Sequence, residues 1–143
     1  MSASAPIVEY GPPISLIQAK QIAAAAEAEA LANGWAMVIA IVSSSGHLVL
    51  LHAMDHVQHG SLAVAQAKAG TAVNFKRTTK MVQDSVAAGG VGLRMLSLND
   101  VCALEGGRPL RMDGRIVGAI GVSGATSTED AQVADAGAQA IGD

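Results

Sequence analysis

All four histidines of the chain, His47, His52, His56 and His59, fall between positions 47 and 59. Imidazole is a common metal ligand, and its charge changes near neutral pH. Gathered in one hairpin and its loop, these rings can bind a divalent metal, move protons or remain solvated. For metal ligation the candidates are His52, His56 and His59, although their H-x3-H-x2-H spacing lacks the form of the helical H-E-x-x-H zinc motif. For acid–base chemistry on a small polar metabolite (a lyase, isomerase or hydrolase) the candidates are His56 and His59. Asp55 is placed to orient one of these rings and fix its tautomer; its plainer role is an Asx-turn cap. His47, at a turn, reads as structural.

A second set of charged residues suits an anionic ligand. Lys68 lies among small apolar residues and, with Arg77, could hold a carboxylate by charge-assisted hydrogen bonds. The plainer reading is a snorkelling lysine and a surface arginine. Glu105 and Arg108 flank Gly106-Gly107, where bare backbone lets a ligand approach, or where the two side chains form a local ion pair.

Other motifs lack their context. Gly118, Gly121 and Gly124 recur every third residue in a strand and its exit, not in the strand-turn-helix of a dinucleotide fingerprint, so they read as positions of close packing. Gly121-Val122-Ser123-Gly124-Ala125 misses the last glycine of a nucleophile elbow. Cys102 sits among Val101, Ala103 and Leu104 and reads as a small core hydrophobe.

The elements that must position these groups follow from pattern and punctuation. Ser15 and Gln18 form a capping box ahead of a helix that runs to Asn33, where Gly34 supplies the stop. Ala36–Ser43 and His47–Ala53 read as a hairpin whose first strand is apolar on both faces, so neither face is expected to meet water. Met54–Gly60 is a loop. Ser61 reads as the N-cap of a helix over Leu62–Asn74, and Thr78 or Thr79 as the cap of a shorter one through Val86, ended by Gly89-Gly90-Val91-Gly92. Val101–Leu104 is a candidate strand. Asp113-Gly114 joins two strands through a type I′ turn, and Thr126 with Glu129 boxes the start of a last helix. This order predicts a single α+β domain with an antiparallel sheet of about five strands, and an extended arm over residues 1–13.

Composition removes several functions. With 143 residues, 50% of them hydrophobic, the chain can bury a core without staples. A single cysteine excludes an internal disulfide and fits a reducing, cytoplasmic setting. Nine Lys plus Arg against twelve Asp plus Glu give a net charge of −3, the wrong sign for nucleic acid. Only Tyr10, Trp35 and Phe75 are aromatic. No segment reads as a membrane span. Only 15% of residues are charged, which leaves little to cover a monomer and points to a homo-oligomer.

The order of motifs resembles the GlcG/HbpS-like family, whose domain also resembles the C-terminal part of PduO-type proteins. The resemblance rests on Met54-Asp55, on Lys68-Ala69 with Thr71-Ala72, on Arg77 with Thr79, and on Gly106-Gly107-x-Pro109-Leu110. It continues through Asp113-Gly114-x-Ile116-Val117-Gly118-Ala119-Ile120-Gly121-Val122-Ser123-Gly124, and ends at Asp130 with Ala134. It implies a profilin-like antiparallel sheet flanked by helices, a homo-oligomer, and a small-molecule ligand such as haem or another carboxylate-bearing group near an intersubunit groove. Two departures stand out. Where the family usually continues with glycine and small residues, this chain has His56-Val57-Gln58-His59, and Arg108 replaces a usually apolar residue.

Overall fold

The computed structural model describes residues 6–143. Four strands form one antiparallel sheet in the order β2-β1-β4-β3: β1 (Val38–Ser43), β2 (Leu48–Ala53), β3 (Gly107–Met112) and β4 (Arg115–Ser123). Strand β1 is buried along its whole length, because both of its faces are covered by helices. On one face, α1 (Leu16–Asn33) and α4 (Ser127–Gln139) pack over Met37, Ile39, Ile41, Ile120 and Val122. On the other, α2 (Ser61–Phe75) packs Ala65, Ala69, Ala72 and Val73 against Val38, Ala40, Val42 and Ala119. The expected α+β sheet between helices is what forms, as a single domain.

Local chemistry explains the element ends. Ser15 and Gln18 make the capping box of α1, and Gly34 closes that helix in the left-handed region at φ 75°. Thr126 and Glu129 make the box of α4. Asp113 and Gly114 both have positive φ, as a type I′ hairpin turn requires. Thr78 caps α3 (Thr79–Ala87), and a 3₁₀ segment, Gly90–Ser97, follows it.

Two expectations need correction. The sheet has four strands rather than about five, and Val101–Leu104 is not among them. Local donors there find side chains instead of a neighbouring strand: Cys102 N–H donates to Thr71 Oγ1 at 2.9 Å, and Glu105 N–H to Gln83 Oε1 at 2.9 Å. Ser61 is not a cap but the first residue of α2, with Gly60 at the cap position. Its buried hydroxyl is held by Ser123 Oγ at 3.1 Å and Gln58 Nε2 at 3.0 Å.

Of the proposed arm, residues 1–5 lie outside the described residues. The rest contains no helix or strand, but Tyr10 bridges Ile116, and Tyr10 Oη donates to Val73 O at 2.7 Å. No helix among the described residues is long and apolar enough to cross a membrane.

Candidate functional site

The two sets of charged residues singled out above have different fates. Lys68 is fully buried, and its ammonium donates to Asp130 Oδ2 at 2.9 Å and to Val122 O at 2.8 Å. Asp130 in turn accepts from Ala125 N–H at 3.0 Å. Burial pushes the Asp130 carboxyl above its usual range, against the hydrogen bonds from Lys68 and the Ala125 backbone. Lys68 is therefore an internal clamp between α2, β4 and α4, and its charge already has a partner. Arg77 stands exposed just beyond α2, with its Nε donating to Phe75 O at 3.0 Å. Lys68 and Arg77 share no acceptor, so a joint carboxylate holder is not what the fold assembles.

Gly106-Gly107 is bare backbone for the same internal reason. A Cβ on Gly106 would lie 2.7 Å from Lys68 Nζ, and one on Gly107 would lie 2.5 Å from Lys68 O. The expected ion pair between Glu105 and Arg108 is replaced: Arg108 reaches Asp135 and Asp143, each at 3.2 Å. Glu105, Arg108 and the glycine pair do border a small cavity of about 120 Å³.

The histidines separate along the hairpin. His47 sits in the β1–β2 turn, with Nδ1 3.4 Å from Ser45 Oγ. His52 lies five residues further on, about 16 Å away along an extended strand. His59 is exposed immediately before α2. Among the described residues no three His, Cys, Asp or Glu side chains come close enough to hold a metal ion, so the metal set His52, His56 and His59 is not assembled.

His52 and His56 do meet in one groove. Its volume is about 830 Å³, and its lining includes Glu27, Leu31, Trp35, His52, Met54 and His56, with Asp55 beside them. Strand register explains why His52 is there. Leu50 pairs with Ile41, and His52 with Ile39, both of which face α1 and α4. Alternation along β2 therefore points His52 toward α1 at the sheet edge. His52 Nδ1 is hydrogen-bonded to Glu27 Oε1. An ionised carboxylate only accepts, so Nδ1 is the donor in this contact.

Asp55 makes no hydrogen bond to either groove histidine among the described residues. The reason is the turn: Val57 N–H donates to Met54 O at 3.2 Å, and His56 occupies the third corner in the left-handed region at φ 69°. The carboxylate that does meet a groove histidine is Glu27, on a different element, and its partner is His52. Sequence reading missed Glu27 because it precedes His52 by 25 residues; the available signal was an acidic residue on the otherwise alanine-rich face of α1. Trp35, the only tryptophan, was also passed over as a groove wall.

Sheet, helices and groove together describe a small α+β domain with an open groove at one sheet edge. The chain belongs to the HbpS-like family: the family described as "Haem degrading protein HbpS-like" matches residues 14–139. It is 39% identical to protein GlcG of Escherichia coli K12 over 110 residues, covering 77% of this chain and 81% of that one. Among solved structures, HbpS superposes with a TM-score of 0.85 at 27% identity, over the full length of both chains. The haem complex of PduOC superposes with a TM-score of 0.82 at 28% identity, covering 91% of this chain and 96% of that one.

Proposed function

We propose that this chain binds haem, seated in the groove between the end of α1 and the exit of β2. The supporting observation is the likeness, at 28% identity over most of both chains, to a protein solved with haem. Groove chemistry agrees with a porphyrin in part. Leu31, Trp35, Leu51 and Met54 supply apolar wall, while His52 and His56 supply imidazole nitrogen. The volume falls within the ordinary range of cofactor pockets, about 300–1,000 Å³.

Carboxylates fit less well. No lysine or arginine lines the groove, and Glu27 and Asp55 bring negative charge to it. The propionates therefore find no counter-charge among these residues, and affinity rests on the apolar wall and the donor nitrogen. Bound haem would bring the iron centre and the chromophore; the chain contributes an apolar wall and an imidazole held by Glu27.

The test is titration of haemin into the purified chain. A saturable Soret shift at micromolar protein is the expected result. A spectrum that stays that of free haemin throughout the titration removes haem from the reading.

A further inference from the structure

We infer that the edge of β2 is a docking site for an extended, positively charged peptide, which adds to the sheet as a further strand. This inference does not rest on haem binding. It begins with the backbone. Met54 N–H donates to Met37 O at 3.0 Å, and bonded pairs recur at every second residue of an antiparallel ladder. By that alternation His52 and Leu50 exchange bonds with Ile39 and Ile41, and the N–H and C=O groups of Leu51 and Ala53 point away from β1. Strand β2 ends the sheet on this side, so no other strand among the described residues receives them. Leu51 and Ala53 also line the groove against α1. Open edge and groove are thus one place, with a strand on one side and a helix on the other, a setting in which sheet-edge binders hold extended peptides.

The two edges of the sheet differ in their protection. Strand β3, the other edge, carries Arg108, Pro109 and Arg111, and Arg111 N–H is taken by Asp143 Oδ2 at 2.8 Å. Proline and charge are the usual guards of an edge strand. Strand β2 reads Leu48-Val49-Leu50-Leu51-His52-Ala53, with no proline, lysine, arginine or carboxylate. Its one irregularity, the register shift between Ile41 and Val42, lies at the turn end of the hairpin, away from the groove.

Charge selects the occupant. Glu27 and Asp55 line the groove, no lysine or arginine does, and the last turn of α1 holds no basic residue. A residue paired opposite His52 in an added strand presents its side chain on the same face as His52, within reach of the carboxylate that His52 touches. Lysine or arginine suits that position. Leu31, 70% exposed and one turn from Glu27 on α1, offers apolar contact to a neighbouring side chain on that face.

The probe is a fluorescein-labelled peptide, Leu-Thr-Arg-Thr-Val, and its control carries Glu in place of Arg. Binding to the purified chain is followed by fluorescence anisotropy, and backbone amides by hydrogen exchange with NMR detection. The Arg peptide is expected to bind saturably, and more weakly as salt is raised; the Glu peptide is expected not to bind. Bound peptide should slow exchange at the Leu51 and Ala53 amides and leave Leu50 and His52, already bonded to β1, unchanged. Ala53→Pro removes an outward N–H while keeping the β1 ladder, and is expected to weaken binding about tenfold. Glu27→Gln is expected to weaken it about two- to fivefold. Circular dichroism checks that both variants fold. Equal binding of the two peptides overturns the charge argument, and binding that leaves Leu51 and Ala53 unprotected overturns strand addition. No anisotropy change with the Arg peptide up to millimolar protein overturns the inference as a whole. Should those two amides already be protected in the free protein, with Ala53→Pro lowering the mass in light scattering, a second copy covers the edge and the peptide reading falls.

Discussion

At the scale of single residues, the buried pair of Lys68 and Asp130 shows how a side chain with functional chemistry can be wholly occupied by structure. The two are 1% and 3% exposed, so neither can be hydrated if its partner is lost. Removing one member of such a pair costs about 3–5 kcal/mol, whereas replacing both with apolar residues of similar size is often nearly neutral. Asp130→Ala is therefore expected to lower the urea midpoint strongly, and Lys68→Met combined with Asp130→Leu to recover most of that loss. A mild effect of Asp130→Ala alone would contradict the clamp.

The same carboxyl makes a pH prediction. Burial raises its pKa, so between the usual aspartate range and the raised value the folded chain holds a proton that the unfolded chain has released. The contribution of this group to stability is thus largest below that window and declines as pH rises through it. Carbon-13 NMR titration of the Asp130 carboxyl is expected to give a midpoint above that of free aspartate; a midpoint below it would show that attraction to Lys68 dominates.

At the scale of elements, close approach of α2 to the sheet depends on residues without side chains at the contact. A Cβ at Gly121 would fall onto Ala65 O and lie 2.6 Å from Ala69 N, both backbone atoms of α2. Backbone cannot swing aside as a flexible side chain can. Gly121→Ala is expected to destabilise the fold by about 1–3 kcal/mol, the usual cost of overpacking, measured as a shift in the denaturation midpoint with the slope retained. An unchanged midpoint would mean that α2 is free to slide outward.

These elements were legible because their ends carry local chemistry: the Ser15–Gln18 and Thr126–Glu129 boxes and the Asp113-Gly114 turn formed as expected. The two-faced burial of β1 was equally readable from its apolar run. Legibility ended where tertiary partners decide. Val101–Leu104 has strand-like composition, but Thr71 and Gln83 take up its neighbouring backbone donors. Of the candidate groove, the histidine cluster was visible in the sequence, while the contact between His52 and Glu27, 25 residues earlier on α1, depends on strand register and was not.

At the scale of the whole molecule, apolar surface remains after the sheet has been covered on both faces. The 3₁₀ segment Gly90–Ser97 has no buried residue, although it carries Val91 at 80% exposure and Leu96 at 65%. Met81 on α3, with Leu98 and Leu104 beyond the segment, adds to the exposed apolar side chains in this stretch of chain. Apolar side chains left exposed in water are costly, and where they gather into one patch they mark an association face. A second copy of the chain is the expected cover, in keeping with the low share of charged residues, 15%. Light scattering coupled to gel filtration should then report a mass that is a multiple of 14.3 kDa. Leu96→Glu, which buries a charge if the face is an interface and merely solvates it if the face is free, is expected to lower that mass without changing the circular dichroism. A wild type that runs at the mass of one chain at micromolar concentration would show instead that these residues meet only water.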